Sequence, residues 1–360
     1  MKSSHKKLFL KASLIMSIAI VFSKISGMVK EQYTLYLFGA GWELDAFISA
    51  SKIPSALRNL LGEGAFSAVF VAMFSGIYAK NKKEGIVFAN QALSLLMVIS
   101  LGITLLGMLT APFYLPLIHK SASNLDLAIA LTYWIMPFLP FISLAAVVMG
   151  ILNSWEIYFI PALAPLFGNI VFLICVFFLS PHYGALALAL GFFASSVIDL
   201  GIQLPVLFKK KFSFRFNFTI NKQIKTFFKS FLPVAFGMAV FQINRIVSNI
   251  FSSSFEGGNT IFEKSFIITQ LVLSVIITGI STVSLPLIAK ETKEKQKTIY
   301  IDSLRMIVIL ILPFSIFLFL LGKEICAWLY QDLLIFLGLG TGKIDENTIV
   351  QMGKMLFYFA

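Results

Sequence analysis

Two lysines and a glutamate, Lys24, Lys30 and Glu31, interrupt an otherwise apolar run near the N-terminus. On a helical wheel they share an arc of about 120° with Ser23, Gly27 and Thr34, and Ser13 and Ser17 continue the line. The next apolar run repeats the pattern, with Lys52, Ser55, Asn59 and Glu63 on one face and Arg58 beside them. An ionisable group in hydrocarbon costs from about 3 to more than about 10 kcal/mol unless it faces protein or water. The stripe therefore lines a hydrated cavity, or it neutralises itself, Glu31 against Lys24, while Lys30 snorkels to the interface. Four bases against two acids leave a positive excess that would attract an anion. Arginine grips phosphate through two parallel hydrogen bonds, whereas lysine acts as a point charge.

Further along, Gln242, Asn244, Arg245, Ser248 and Asn249 fall within one apolar segment, and Glu263 and Lys264 stand near the end of the next, either interfacial or lining the same cavity. Asp199, near the end of its segment, pairs with a base or reaches water. Enzyme chemistry finds no support. His5, His119 and His182 lie at the terminus or in loops and form no metal-ligating pair. No phosphate-binding GxxxxGK[ST] loop and no G-x-S-x-G elbow occurs. The expectation is a non-enzyme without cofactor or metal, in which Cys175 and Cys326 are small membrane hydrophobes.

These residues must be positioned by membrane helices. Of 360 residues, 58% are hydrophobic, 14% aromatic and only 13% charged, which excludes an ordinary soluble domain. Mean hydropathy is +0.89. Apolar stretches long enough to span about 30 Å of hydrocarbon recur and strand-like alternation is absent, so the fold class is all-α polytopic. The expected helices are 8–38, 45–79, 85–110, 125–153, 156–180, 184–208, 228–256, 259–289 and 299–322. About nine crossings result, plus the start of a tenth in the closing "KIDENTIVQMGKMLFYFA", which reads as the beginning of a helix in a truncated chain. The run 45–79 is too long for one simple crossing. It reads as one helix bent near Pro54 or the glycines of "GEG" rather than as a hairpin, which would break the alternation of charge between loops.

That alternation carries the topology. Net charge is +12, but the bases cluster in alternate connections: Lys2, Lys6 and Lys7; Lys80, Lys82 and Lys83; Lys209 to Lys225; Lys290 to Lys297. "FGAGWEL", "SPHYG" and "SSSFEGG" hold none. This positive-inside pattern predicts a cytoplasmic N-terminus and a membrane protein rather than a nucleic-acid binder. Lys11 and the lack of a cleavage site predict that the first helix is retained. The basic connection divides the chain into an N-terminal lobe of six helices, 1–208, a cytoplasmic linker, 209–229, and an incomplete C-terminal lobe, 230–360. A faint echo between "GAFSAVFVAMFS" and "GISTVSLPLIAK" is compatible with duplicated halves.

Four stretches, "SKISGMVKE", "FGAGWELDAF", "KIPSALRNLLGEGAFSAVF" and "GILNSWEIYFIPALAPLFGNI", occur in the order and spacing of the MurJ (MviN) family of lipid II flippases. The chain resembles that family, within the multidrug/oligosaccharidyl-lipid/polysaccharide exporter superfamily, most strongly over Ser23–Tyr78. The resemblance implies a two-lobed inverted-V fold whose central cationic cavity takes the diphosphate-sugar head of lipid II. It also implies a multi-pass protein of the bacterial inner membrane that moves this lipid between leaflets by alternating access, alongside other cell-wall synthesis proteins. Alternatives are export of another polyprenyl-diphosphate glycan or amphiphile, or an inactive remnant. By resemblance the substrate-binding set is Lys24, Lys30, Glu31, Asp45, Lys52, Arg58, Glu63, Arg245 and Lys264. Lys24 and Lys30 stand where the family usually has arginine, and Glu31 where it has aspartate. Ile267 occupies the place of an arginine for which Lys264 or Arg245 compensates, and Ser248 that of an aspartate tied to sodium coupling.

Overall fold

The computed structural model describes residues 3–63, 65–119, 124–254, 256–270, 273, 280, 293–336, 340 and 342–359. Among them there is helix but no strand. The helices are α1 (Ser3–Phe38), α2 (Trp42–Arg58), α3 (Ala65–Lys80), α4 (Lys82–Ile118), α5 (Leu125–Ile135), α6 (Phe138–Ser154), α7 (Phe159–Tyr183), α8 (Leu186–Gly201), α9 (Leu204–Lys209), α10 (Lys222–Ser252), α11 (258–270), α12 (Lys293–Ala327), α13 (Leu333–Phe336) and α14 (Glu346–Phe359). Two compact units result, one of residues 1–33 and 45–254, the other of 34–44 and 255–360.

In the first unit α3, α4, α6, α7 and α8 pack together, and α10 lies against α3 and α4. Its core is aromatic. Phe66, Phe70 and Phe74 recur every four residues on α3 and stack on one another at 6.2 and 5.5 Å, Phe88 of α4 stacks on Phe70 at 5.8 Å, and Phe227 of α10 meets Phe66 edge-on at 4.9 Å. Offset and edge-to-face rings add attraction beyond their buried area. The outward faces are just as apolar: Leu105, Leu109, Phe113 and Leu117 of α4, Phe177 and Phe178 of α7, and Phe236 and Phe251 of α10 are exposed. Six described segments are long and apolar enough to cross a bilayer: Lys82–Ile118, Leu125–Ser154, Phe159–Tyr183, Leu186–Lys209, Lys222–Ser252 and Thr298–Ile335. Such faces are compatible with lipid, not with water.

Helix ends differ from the sequence expectation in ways the local chemistry explains. The fourth helix starts early because the Asn81 carboxamide oxygen accepts from the backbone N–H of Lys83 at 3.0 Å and of Glu84 at 3.4 Å, and it runs on to Ile118. The expected helix 125–153 breaks at Met136 and Pro137, where proline has no N–H to continue the ladder. The run 45–79 is interrupted by a π-helical turn, Asn59–Glu63, while Pro54 sits inside α2 without breaking it.

In the second unit the end of α1 and the following turn are clasped by glycines. Gly39 has φ +65°, the left-handed conformation favoured just past a helix, and its N–H donates to Leu35 O at 2.8 Å. A Cβ there would lie 2.8 Å from Lys343 O, and a Cβ on Gly257 would press still closer on the Ala40 carbonyl. α12, kinked at Leu321, packs on α14, with Gly322 against the Gly353 carbonyl. Small residues allow this approach of helix backbones.

Candidate functional site

The polar stripe of α1 divides between packing and charge. The Ser23 hydroxyl donates to Ala162 O at 2.9 Å, and the Asn169 amide of α7 donates to Ser26 Oγ at 3.0 Å and to Ser23 O at 3.3 Å. Gly27 lies against the same Asn169. Ser23 and Gly27 are thus glue between α1 and α7. Beyond them Lys30 Nζ stands 3.3 Å from Glu31 Oε1 and 5.2 Å from the centre of the Phe172 ring of α7, both charged side chains being half-buried. Lys24 is exposed.

α2 contributes a second stripe. Asp45, Ser49 and Lys52, at spacings of four and three, are 4%, 1% and 6% exposed, so two ionisable groups are deeply buried on one helix face. Ser49 Oγ hydrogen-bonds His119 Nδ1 at 3.0 Å. At the far end of α2, Arg58 immediately precedes the π turn, whose Asn59 amide donates to Gln242 Oε1 of α10 at 3.4 Å. Arg245 lies three residues along α10 on the side of Gln242, half-buried. The first unit therefore holds Lys24, Lys30, Lys52, Arg58 and Arg245 with Glu31 and Asp45; the side chain of Glu63 lies outside the described residues. Its balance is cationic, and among the described residues no His, Cys, Asp or Glu cluster is placed to hold a metal. Lys264 belongs to the second unit. It is 2% exposed, inside rather than interfacial, and donates to Thr34 Oγ1 of α1 at 3.0 Å. Ser248, on α10, donates to Asn244 Oδ1 at 3.4 Å.

With this arrangement in place, the comparisons with known proteins can be stated. Residues 35–360 match the family described as "Lipid II flippase MurJ". The chain belongs to that family. A relative named "Probable lipid II flippase MurJ" from Aquifex aeolicus (strain VF5) is 29% identical over 325 residues, covering 89% of this chain and 64% of its own length. Lipid II flippase MurJ of Burkholderia cenocepacia is 25% identical over 365 residues, covering 96% of this chain and 69% of its own. The chain thus spans about two thirds of the curated relatives it matches. Among solved structures, a MurJ flippase in an inward closed conformation superposes with a TM-score of 0.80 at 26% identity over 96% of this chain and 71% of that one. A multidrug resistance MATE transporter superposes at 0.66 with 17% identity, covering 96% and 78%, a likeness of fold. MurJ membership makes this chain a multi-pass membrane protein of a transporter family, of all-α fold.

His119 is the polar residue that sequence reasoning passed over as a loop histidine. It caps α4, is 3% exposed, and among the described residues its buried Nε2 has no hydrogen-bond partner. Its only sequence signal was its place at the end of an apolar run. Burial holds its pKa below the ordinary 6.5, because a charged imidazolium would be desolvated. The unfolded chain then binds the proton more readily than the folded one. The stability His119 contributes is full above about pH 6.5 and is lost as pH falls through the lowered folded pKa. Thermal unfolding in detergent at pH 8 and pH 5 checks this: His119→Gln should shrink the loss of Tm on acidification. An equal loss in both proteins would exclude His119 as the titrating group.

Proposed function

We propose that this MurJ-family chain carries the lipid II flippase activity named for its relatives, moving the lipid-linked peptidoglycan precursor from the inner to the outer leaflet of the bacterial inner membrane by alternating access. The observation that carries the reading is the family match over residues 35–360. The cationic balance on α1, α2 and α10 supports it, since a diphosphate needs compensating positive charge in a medium of low dielectric.

In this reading Arg58 grips the diphosphate in a bidentate manner, and Lys52 and Arg245 add charge from the neighbouring turns. Glu31 holds Lys30 in place against Phe172 and Asp45 shares the face of α2 with Lys52, so the acids tune and orient the bases rather than bind the ligand. Within the second unit Lys264 is a buried cation held by Thr34. In this reading the basic connections keep the N-terminus on the cytoplasmic side, and the lobes are 1–208 and 230–360, joined by 209–229, with α10 packing within the first compact unit. An inward-negative potential biases movement of charge across the membrane by about 2.3 kcal/mol per elementary charge per 100 mV.

Native mass spectrometry of the detergent-solubilised protein tests the substrate class. Lipid II should bind in preference to undecaprenyl diphosphate, and both in preference to phosphatidylcholine. Equal retention of all three lipids would reject an anionic headgroup site.

A further inference from the structure

The connection between α9 and α10 is fastened to α4. Lys211, in a left-handed conformation at φ +58°, turns the chain out of α9 into an extended strap over residues 212–220. Buried polar side chains of α4 fasten that strap. The Asn90 amide donates to Ser213 O at 3.1 Å while its oxygen accepts from Arg215 N at 3.3 Å. Ser94 Oγ accepts from Asn217 N at 3.0 Å, and the Gln91 amide donates to Thr219 Oγ1 at 2.7 Å. Three of these bonds satisfy backbone groups of the strap and the fourth holds a side chain.

The strap carries two chemistries. Phe214, Phe216 and Phe218 are exposed and contact one another, the first pair at 4.9 Å and the second at 6.2 Å between ring centres. Lys209, Lys210, Lys211 and Arg215 are exposed beside them, and from Gly201 to Phe255 the sequence contains no acid. Exposed aromatic rings mixed with bases suit the level of lipid headgroups. Behind the strap lies a cleft of about 240 Å³ lined solely by apolar side chains, among them Leu93, Leu144, Val148, Leu204, Phe212 and Phe216. A cavity with no polar partner is unsuited to ordered water or a polar ligand. Four bases at the edge of an apolar slot match a single amphiphile with a negative head.

We propose that this cleft takes one acyl chain of an anionic diacyl phospholipid, whose phosphate is held by Lys209, Lys210, Lys211 and Arg215. The site lies wholly within the first unit, on α4, α6, α8, α9 and the strap, and uses none of the residues assigned to lipid II. It therefore stands or falls independently of the proposed transport activity.

Trp155 provides the readout, because its ring lies 6.3 Å from Phe212, a wall of the cleft. In a protein carrying Trp42→Phe, Trp134→Phe and Trp328→Phe, Trp155 is the remaining tryptophan. Phosphatidylglycerol with dibrominated acyl chains should quench it at about tenfold lower mole fraction in mixed micelles than phosphatidylcholine with the same chains. Lys210→Gln and Arg215→Gln should each reduce that preference by about twofold, and the double variant by about fourfold. Leu144→Phe, or the milder Val148→Leu, should weaken quenching by filling the cleft, while the surface replacements keep the test valid if either filled variant fails to fold. Equal quenching by the two lipids would overturn the proposal, as would full quenching in a folded, filled variant. Displacement of the brominated lipid by undecaprenyl phosphate at lower mole fraction than by unbrominated phosphatidylglycerol would overturn the assigned occupant.

Discussion

Replacing Arg58 by alanine should reduce lipid II translocation by about 100-fold or more, and Arg58→Lys should restore part of that loss. The difference rests on geometry. A guanidinium offers two parallel donors to one phosphate, and each hydrogen bond to a charged group is worth about 1.5–3 kcal/mol. Alanine removes both bonds, and lysine retains the charge with a single contact. In the proposed role Arg58 would draw its position from the π turn that follows it, which the Asn59–Gln242 hydrogen bond ties to α10. Growth of a flippase-depleted strain expressing the variant, with lipid II accumulation as the quantitative readout, measures the effect. Normal growth and unchanged lipid II in a strain expressing folded Arg58→Ala would remove Arg58 from the mechanism.

The largest structural effect should come from Gly342→Ala. Gly342 has φ +58°, which costs a residue bearing a Cβ about 1 kcal/mol. In addition, its Cβ would press into the carbonyl oxygen and ring of Tyr36, closer than real Cβ contacts come. The obstacle is backbone, and the same Tyr36 carbonyl accepts from Lys343 N at 2.9 Å, so relief requires loss of that bond. The total is about 3 kcal/mol or more. Gly340 is the internal control: its φ is +72° but no described residue lies within 4 Å of a Cβ, so Gly340→Ala should cost only about 1 kcal/mol. Urea or thermal unfolding in detergent distinguishes the two. Equal destabilisation would show that conformation alone, not the clasp on α1, sets the cost.

Much of this organisation was legible in one dimension. Hydropathy sorts segments between water and hydrocarbon residue by residue, so the polytopic all-α class followed from composition and run length without knowledge of any contact. The ordered stretches from "SKISGMVKE" to "GILNSWEIYFIPALAPLFGNI" already resembled the family to which the chain belongs. Helix periodicity likewise grouped Lys24, Lys30 and Glu31 on one side of α1, but it could not say what faced them. Asn169, 146 residues from Ser23, turned the serine part of that stripe into a helix–helix seam, and Phe172 became the surface under Lys30.

The tertiary structure decided which polar residues meet. Lys264 is 230 residues from Thr34, and nothing in its own segment distinguishes a buried cation from an interfacial one. His119 gained its meaning only when α2 brought Ser49 to it, and the basic linker became a strap only when Asn90 and Ser94 of α4 met its backbone and Gln91 met the Thr219 hydroxyl. By itself the sequence determined that this is a membrane protein of many helices with cations inside its apolar runs, because the bilayer acts on each segment separately. Which cations are paired, buried or left at the surface was decided by helix packing, because a hydrogen bond between helices depends on two distant segments arriving at the same depth and facing one another.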